Sequence, residues 1–144
     1  MGFFNLGKAK SMMKTGKKIN NKGFLKATVG MAVATAYADG GADDAELITM
    51  ETLIANDENL SAFSDAEIKK EIDTASKSFG VSFMVGNLTV QKHVKGLAGD
   101  EEKEMAFAIS LAVAGADGDI DDKEVKVLKG FASILGLSPS KFGL

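Results

Sequence analysis

Two acidic segments share the pattern Ala-Asp-Gly-x-x-Asp-Asp-x-Glu, one over residues 38–46 and one over residues 116–124. Asp43 and Glu46 stand three residues apart, as do Asp121 and Glu124, which places both side chains of each pair on one face of a helix. The glycine permits a sharp turn that could aim the carboxylates at one point. Because carboxylate oxygens are what Ca²⁺ and Mg²⁺ take as ligands, the segments are candidate divalent-cation sites. The candidate ligands are Asp39, Asp43, Asp44 and Glu46 in the first copy, and Asp117, Asp119, Asp121, Asp122 and Glu124 in the second.

The same acids have a simpler use as helix caps. An acid at a helix start accepts hydrogen bonds from free backbone N–H groups, and the helix dipole favours negative charge there. Capping accounts for Asp43, Glu46, Asp121 and Glu124 without a metal. It leaves five acids unexplained, and crowded like charges repel each other unless a counter-cation is present. Both interpretations stand, and the number of carboxylates favours the cation.

Other site chemistry finds little support in the chain. An EF-hand is rejected, because its first and third loop positions would be Val113 and Gly115 in the second copy, which carry no oxygen ligand. There is no cysteine, so thiol catalysis and thiolate metal sites are excluded. His93 is the only histidine, and a place in solvent or at the edge of the core is expected for it. No substrate cleft is indicated around the paired carboxylates, and an enzyme is not expected.

The net charge of −3 conceals an uneven distribution. Residues 1–38 hold seven lysines and no acid, whereas the rest holds all 20 acids. We therefore predict a basic, mobile or weakly helical arm over residues 1–22 and a helical domain over residues 23–144. The arm could be a solubilising tail or contact an anionic membrane surface. Nucleic-acid binding is disfavoured, because arginine and any binding motif are missing. With no apolar run long enough to span a bilayer and no signal-peptide pattern, a cytoplasmic location is expected.

Hydrophobic periodicity predicts an all-α, single compact domain of about six or seven helices. Its centre would be two helix–turn–helix hairpins related by a pseudo-two-fold axis, with repeat copies over about residues 24–56 and 101–135. The first helix is apolar nearly all round, which indicates a buried helix in which Gly30 allows close approach. The predicted helices cover residues 24–38, 43–56, 64–79, 81–97, 99–116 and 122–135, with a last helical turn at 138–142. Residues 81–97 are ambiguous between strand and helix, and helix is favoured because every neighbouring segment is helical.

Local signals refine these boundaries. Ser64 and Glu67 form a capping box that opens the third helix, and Gly80 is expected to stop it. Gly136 is expected to end the sixth helix, and Ser138 to cap the last turn. In the second helix, the side chains predicted to face inward are Leu47, Ile48, Met50, Leu53 and Ile54.

Several features together resemble the TerB family of tellurite-resistance proteins. They are the paired Ala-Asp-Gly turns, the opening Gly-Phe-Phe with its lysine-rich arm, the Val-Ala-x-Ala-x-Ala-Asp-Gly run into the first turn, and the terminal Phe142-Gly143-Leu144. The resemblance implies a non-catalytic role in tellurite resistance and stress defence, in the cytoplasm or peripheral to the inner membrane. It implies that the nine acidic residues coordinate a metal, and that the partners are proteins of the same system, including a membrane protein. The alternative is a metal-independent interaction module whose acidic turns are caps.

Overall fold

The computed structural model describes residues 19–116 and 118–144, and this part of the chain is entirely helical apart from its turns. The all-α prediction is confirmed. Residues 1–18, most of the predicted arm, lie outside the described part. The α-helices are α1 (Lys22–Ala36), α2 (Asp44–Ala55), α3 (Asp65–Val81), α4 (Phe83–Lys95), α5 (Asp100–Ala114) and α6 (Asp122–Leu135), with 3₁₀ turns at Glu58–Leu60 and Pro139–Phe142.

Helix α1 is the centre of the domain, as its apolar sequence predicts. From Phe24 to Thr35 every side chain except that of Lys26 is buried. The helix packs most extensively against α3, α4 and α5. A Cβ atom at Gly30 would lie 3.0 Å from both methyl groups of Val90 on α4, so this glycine does permit the close approach predicted for it. The core also includes Ile19, whose N–H donates to the carbonyl of Asn59 at 3.1 Å.

Helix α5 is the second buried helix and crosses α1. Eight consecutive residues, Met105–Ala112, are buried. The hydroxyl of Ser110 lies 3.1 Å from the Thr28 carbonyl of α1, within hydrogen-bonding distance. The ring of Phe107 meets Phe142 edge-on at a centroid distance of 4.8 Å. The final 3₁₀ turn is therefore packed into the core.

Helix α2 contacts the core along a narrower stripe than predicted. Met50 and Ile54 are buried and Leu47 is partly buried, but Ile48 is 62% exposed and Leu53 is 38% exposed. The prediction that Ile48 and Leu53 face inward is wrong. At 3.6 residues per turn, Ile48 lies about 160° around the helix from Met50, on the side away from the core.

Helices α3 and α4 form an antiparallel hairpin with a single residue between them. The capping box of Ser64 and Glu67 is confirmed, with Glu67 N–H donating to Ser64 Oγ at 3.1 Å. The predicted stop at Gly80 is wrong, because α3 continues to Val81. The chain turns instead at Ser82, whose extended backbone ends α3 and whose Oγ accepts from Val85 N–H at the start of α4.

The remaining helix ends differ from prediction by a residue or two. Helix α1 ends at Ala36 rather than residue 38, and α5 at Ala114 rather than residue 116. Gly136 ends α6 in the left-handed conformation, at φ 72°, as predicted. Ser138 precedes the last turn but makes no side-chain capping bond, and its Oγ lies 3.0 Å from Ser140 Oγ. The capping role predicted for Ser138 is therefore wrong.

Candidate functional site

Both acidic turns begin a helix with an aspartate cap. Asp43 Oδ1 accepts from Glu46 N–H at 2.8 Å, and Asp121 Oδ1 accepts from Glu124 N–H at 2.8 Å. In the second turn Glu124 Oε1 also accepts from Asp121 N–H at 3.1 Å, which completes a capping box. These bonds confirm the capping interpretation for Asp43, Asp121 and Glu124. The fourth acid, Glu46, contributes its backbone N–H as the donor to Asp43.

The glycines of the two turns adopt the conformation that their position predicts. Gly40 has φ 120° and Gly118 has φ 92°, a region that side chains with a Cβ atom rarely enter. Each glycine therefore permits the reversal between a buried helix and the acidic helix start that follows. Gly40 lies beyond the end of α1, whose C-cap Tyr37 has φ −90°.

The two turns meet at one cavity of about 340 Å³. Its acidic side chains are Asp43 and Glu46 from the first turn and Glu124 from the second. The rest of its wall is nearly all apolar and comes from α1, α2, α5 and Ala116, two residues beyond the end of α5. These wall residues are Ala32, Ala36, Ala45, Thr49, Met50, Leu53, Val113, Ala114 and Ala116.

The other candidate ligands lie elsewhere. Asp44 lines a separate cavity of about 240 Å³ between α2 and α3, together with Lys69 and Asp73. Asp39, Asp119 and Asp122 are exposed, and none of them lines the shared cavity. Asp117 lies outside the described residues. Among residues 19–116 and 118–144, no group of three histidine, cysteine or acidic side chains is arranged to hold a metal ion.

The cavity floor is the part of the site that sequence reasoning missed. Ala32 and Ala36 stand one turn apart on α1, and the sequence predicts them to be buried core. Their small side chains leave space beside Leu53 of α2 and Val113 of α5. The only sequence signal for this floor is a pair of alanines four residues apart ahead of an acidic turn, and that signal is weak. An apolar floor below a carboxylate rim suits a ligand with both a cationic and an apolar part.

His93 lies half-buried at the edge of the core, in agreement with its predicted position. It lines a narrow space between α1, α3 and α4 together with Lys26 and Glu71, which form an ion pair at 3.1 Å. Burial lowers the pKa of His93, and the positive charge of Lys26 lowers it further. The carboxylate of Glu71 acts in the opposite direction.

We expect the pKa of His93 to lie below 6.5 and to respond to its two neighbours in opposite directions. Glu71→Gln should lower this pKa further, and Lys26→Gln should raise it. Proton NMR titration can follow the single histidine directly. Because the unfolded state then binds more protons, His93 destabilises the fold as the pH falls below its unfolded pKa. A pKa at or above 6.5, or equal shifts in both variants, would contradict this arrangement.

Taken together, the described structure is a helical domain that presents two capped acidic turns around one partly apolar cavity. The family model for the tellurite resistance protein TerB matches residues 25–144, nearly all of the described chain. The protein therefore belongs to the TerB family, and its role is associated with tellurite resistance. No curated protein and no solved structure matches the chain. Within the described residues, no helix is both long and apolar enough to cross a membrane.

Proposed function

We propose that this TerB-family protein is a non-catalytic docking module, which binds a basic and apolar segment of a partner in the cavity between its acidic turns. The observation that carries the proposal is the composition of that cavity. Three carboxylates, from Asp43, Glu46 and Glu124, stand at its wall, and most of the remaining surface is hydrocarbon.

The cavity suits a lysine or arginine side chain better than a bare ion. A divalent cation needs six or more oxygen ligands close around it, and Ala32, Ala36 and Val113 provide none from their side chains. A lysine side chain can place its methylene stem on these residues and its ammonium group against a carboxylate. Each carboxylate can accept several hydrogen bonds, so a capping bond leaves room for a further donor.

The partner that fits this chemistry is a helix or extended segment with lysine or arginine beside apolar side chains. We place it in the tellurite-resistance system, within a complex that includes a membrane protein. The described residues hold no membrane-spanning helix, so such a complex would meet this domain at the membrane surface. On this proposal the protein works in the cytoplasm or peripheral to the inner membrane. No catalytic step is required of it.

Titration of the full chain with a synthetic amphipathic peptide of lysine and leucine tests the proposal. We expect NMR shift changes at Ala32, Thr49 and Val113, and none with a peptide that has glutamate in place of lysine. The double variant Glu46→Gln, Glu124→Gln should weaken binding roughly tenfold, since it removes two charge-assisted contacts. Added salt should also weaken binding, whereas a chelator should not.

The control variant is Asp44→Asn with Asp122→Asn. It removes two charges from the same turns but leaves the cavity wall unchanged, because neither residue lines the cavity. Binding equal to that of the unmodified protein is expected. The docking proposal would be wrong if shift changes map away from the cavity, or if the control loses as much affinity as Glu46→Gln, Glu124→Gln. In cells that depend on this protein, only the cavity variant should reduce tellurite resistance.

A divalent cation, with Ca²⁺ or Mg²⁺ favoured, is the second candidate ligand of the acidic turns. Its support is the number of acids that the two turns carry, although the described residues hold no group of three acids arranged for a metal ion. Calorimetric titration with Ca²⁺, Mg²⁺ and Mn²⁺ tests this candidate. Heat that disappears in Asp117→Asn, Asp121→Asn, with helical circular dichroism retained, would support it. No heat with any of the ions, and an unchanged melting temperature, would remove it.

A further inference from the structure

The corner between α3 and α4, residues 81–88, exposes an unusual amount of apolar surface. Seven large hydrophobic side chains are exposed in the described part of the chain, and five of them lie at this corner. Their exposed fractions are 75% for Val81, 37% for Phe83, 71% for Met84, 43% for Val85 and 54% for Leu88. We call these five residues the apolar corner. The other two, Ile48 and Leu53, lie on α2.

The apolar corner is held rigidly by a stack of aromatic rings. The ring of Phe79 stacks on Tyr37 at 5.5 Å and contacts Phe83 at 5.3 Å, measured between centroids. Gly86 fits directly against the face of Phe79, where a larger residue would clash. Phe83, one of the five exposed side chains, is itself part of this stack. The stack therefore fixes the start of α4 against the end of α3.

In the chain segment that contains the apolar corner, every charged side chain is positive. Residues 74–99 contain three lysines and no acid, although the chain holds 20 acids in total. Lys77 stands four residues before Val81 on α3, and Lys92 stands four residues after Leu88 on α4. Residues four apart share a helix face, so each lysine lies one turn, about 5.4 Å, behind an exposed apolar side chain.

Helix α6 adds two further lysines beside the corner. Lys123 and Lys126 line a cavity of about 400 Å³ together with Phe83 of α4. Both lysine side chains are exposed. The apolar corner thus has lysines nearby on α3, on α4 and on the neighbouring helix α6.

We propose that the apolar corner is a contact site for an anionic lipid bilayer. A surface-bound protein places apolar side chains at the boundary of headgroups and acyl chains, and its lysines at the level of the lipid phosphates. Lys77 and Lys92 lie about one helical turn from the exposed side chains of Val81 and Leu88, which matches the depth of that boundary. The site lies outside the acidic cavity and does not depend on docking there.

A second copy of this chain is a poorer occupant of the apolar corner. In a two-fold dimer the same patch would face itself, so that Lys77, Lys92, Lys123 and Lys126 of both copies would approach one another. Like charges at short range oppose such contact. An anionic bilayer instead supplies a negative surface to each lysine and an apolar layer for the side chains between them.

A fluorescent label at the corner provides the test. The sequence contains no cysteine, so Leu88→Cys in the full chain can carry one polarity-sensitive fluorophore. With vesicles of phosphatidylcholine and phosphatidylglycerol, we expect its emission to shift to the blue. Vesicles of phosphatidylcholine alone should leave it unchanged. The same label at Ile48→Cys is the control, because Ile48 is exposed to a similar degree, 62% against 54% for Leu88, but lies on α2.

Unlabelled variants provide a second measurement. Met84→Ser with Leu88→Ser should reduce the amount of protein that sediments with anionic vesicles roughly tenfold. The control variant Ile48→Ser, which leaves the acidic cavity unchanged, should bind as the unmodified protein does. The proposal is overturned if the label at position 88 does not shift, if both labels shift alike, or if the corner variant binds normally. A shift that appears without vesicles and grows with protein concentration would indicate self-association and overturn it as well.

Discussion

Replacement of Phe142 by alanine is expected to lower the free energy of unfolding by about 3–5 kcal/mol, although the residue lies near the end of the sequence. Its side chain is fully buried and contacts Phe107 edge-on at a centroid distance of 4.8 Å. The change would leave a cavity beside α5, in the most buried part of the domain. Urea denaturation followed by circular dichroism measures this loss.

The neighbouring residue supplies a matched control. Lys141 forms an ion pair with Glu104 at 2.8 Å, and both side chains are partly exposed. Exposed ion pairs contribute little, so Lys141→Ala should lower the free energy of unfolding by less than about 1 kcal/mol. If Phe142→Ala and Lys141→Ala lost similar small amounts, the last 3₁₀ turn would not be part of the core.

Two kinds of sequence signal predicted the helices correctly. The first is composition: α1 is apolar nearly all round, which indicates a buried helix, and the structure buries it. The second is local chemistry at helix ends, as in the box of Ser64 and Glu67 and at Gly136. Both signals depend on residues close together in sequence. Packing against distant parts of the chain therefore does not overturn the predictions that rest on them.

The errors arise where a distant element decides the outcome. Ile48 and Leu53 are as apolar as Met50, but Ile48 lies on the side of α2 away from the core, and Leu53 lines the open cavity between the acidic turns. Gly80 does not adopt the left-handed conformation, because the chain turns at Ser82 instead. Neither fact can be read from a window of ten residues. Both depend on how α2 and α3 lie against the rest of the domain.

The candidate site also has a part that the sequence predicts and a part that it does not. The capping roles of Asp43 and Asp121 follow from spacing alone, and the structure has both. The shared cavity does not follow from spacing, because it depends on two turns distant in sequence approaching one another. Its floor of small side chains resembles ordinary core until the neighbouring helices are in place. Sequence therefore identified the acidic rim but not the surface below it.

Helix α6 separates the two proposed binding surfaces. Its Glu124 lines the acidic cavity, whereas Lys123 and Lys126 line the cavity beside α4. Side chains one residue apart point about 100° away from each other on a helix, so adjacent residues can serve different surfaces. Within residues 39–144, which hold all of the acids, the domain thus presents two local surfaces of opposite sign. A basic partner segment and an anionic bilayer could engage the domain at the same time.

Alanine at Gly86 is expected to destabilise the protein by about 1–3 kcal/mol, although alanine favours a helix over glycine. A Cβ atom there would lie 2.5 Å from Phe79 Cδ1, well inside van der Waals contact. Phe79 cannot easily move, because Tyr37 and Phe83 hold its ring. The clash would therefore shift α4 away from α3. Urea denaturation measures the loss, and near-ultraviolet circular dichroism should report the disturbed rings.

Gly80→Ala is the matched control, since it makes the same chemical change on the other helix of the same hairpin. No atom lies within 4 Å of a Cβ at Gly80, and the residue is exposed within α3. Without a clash, the helix preference of alanine should stabilise the protein by about 0.5–1 kcal/mol. The two substitutions are thus expected to act with opposite signs. Equal effects would mean that Gly86 does not hold α4 against the ring of Phe79, and the rigid display of the apolar corner would lose its basis.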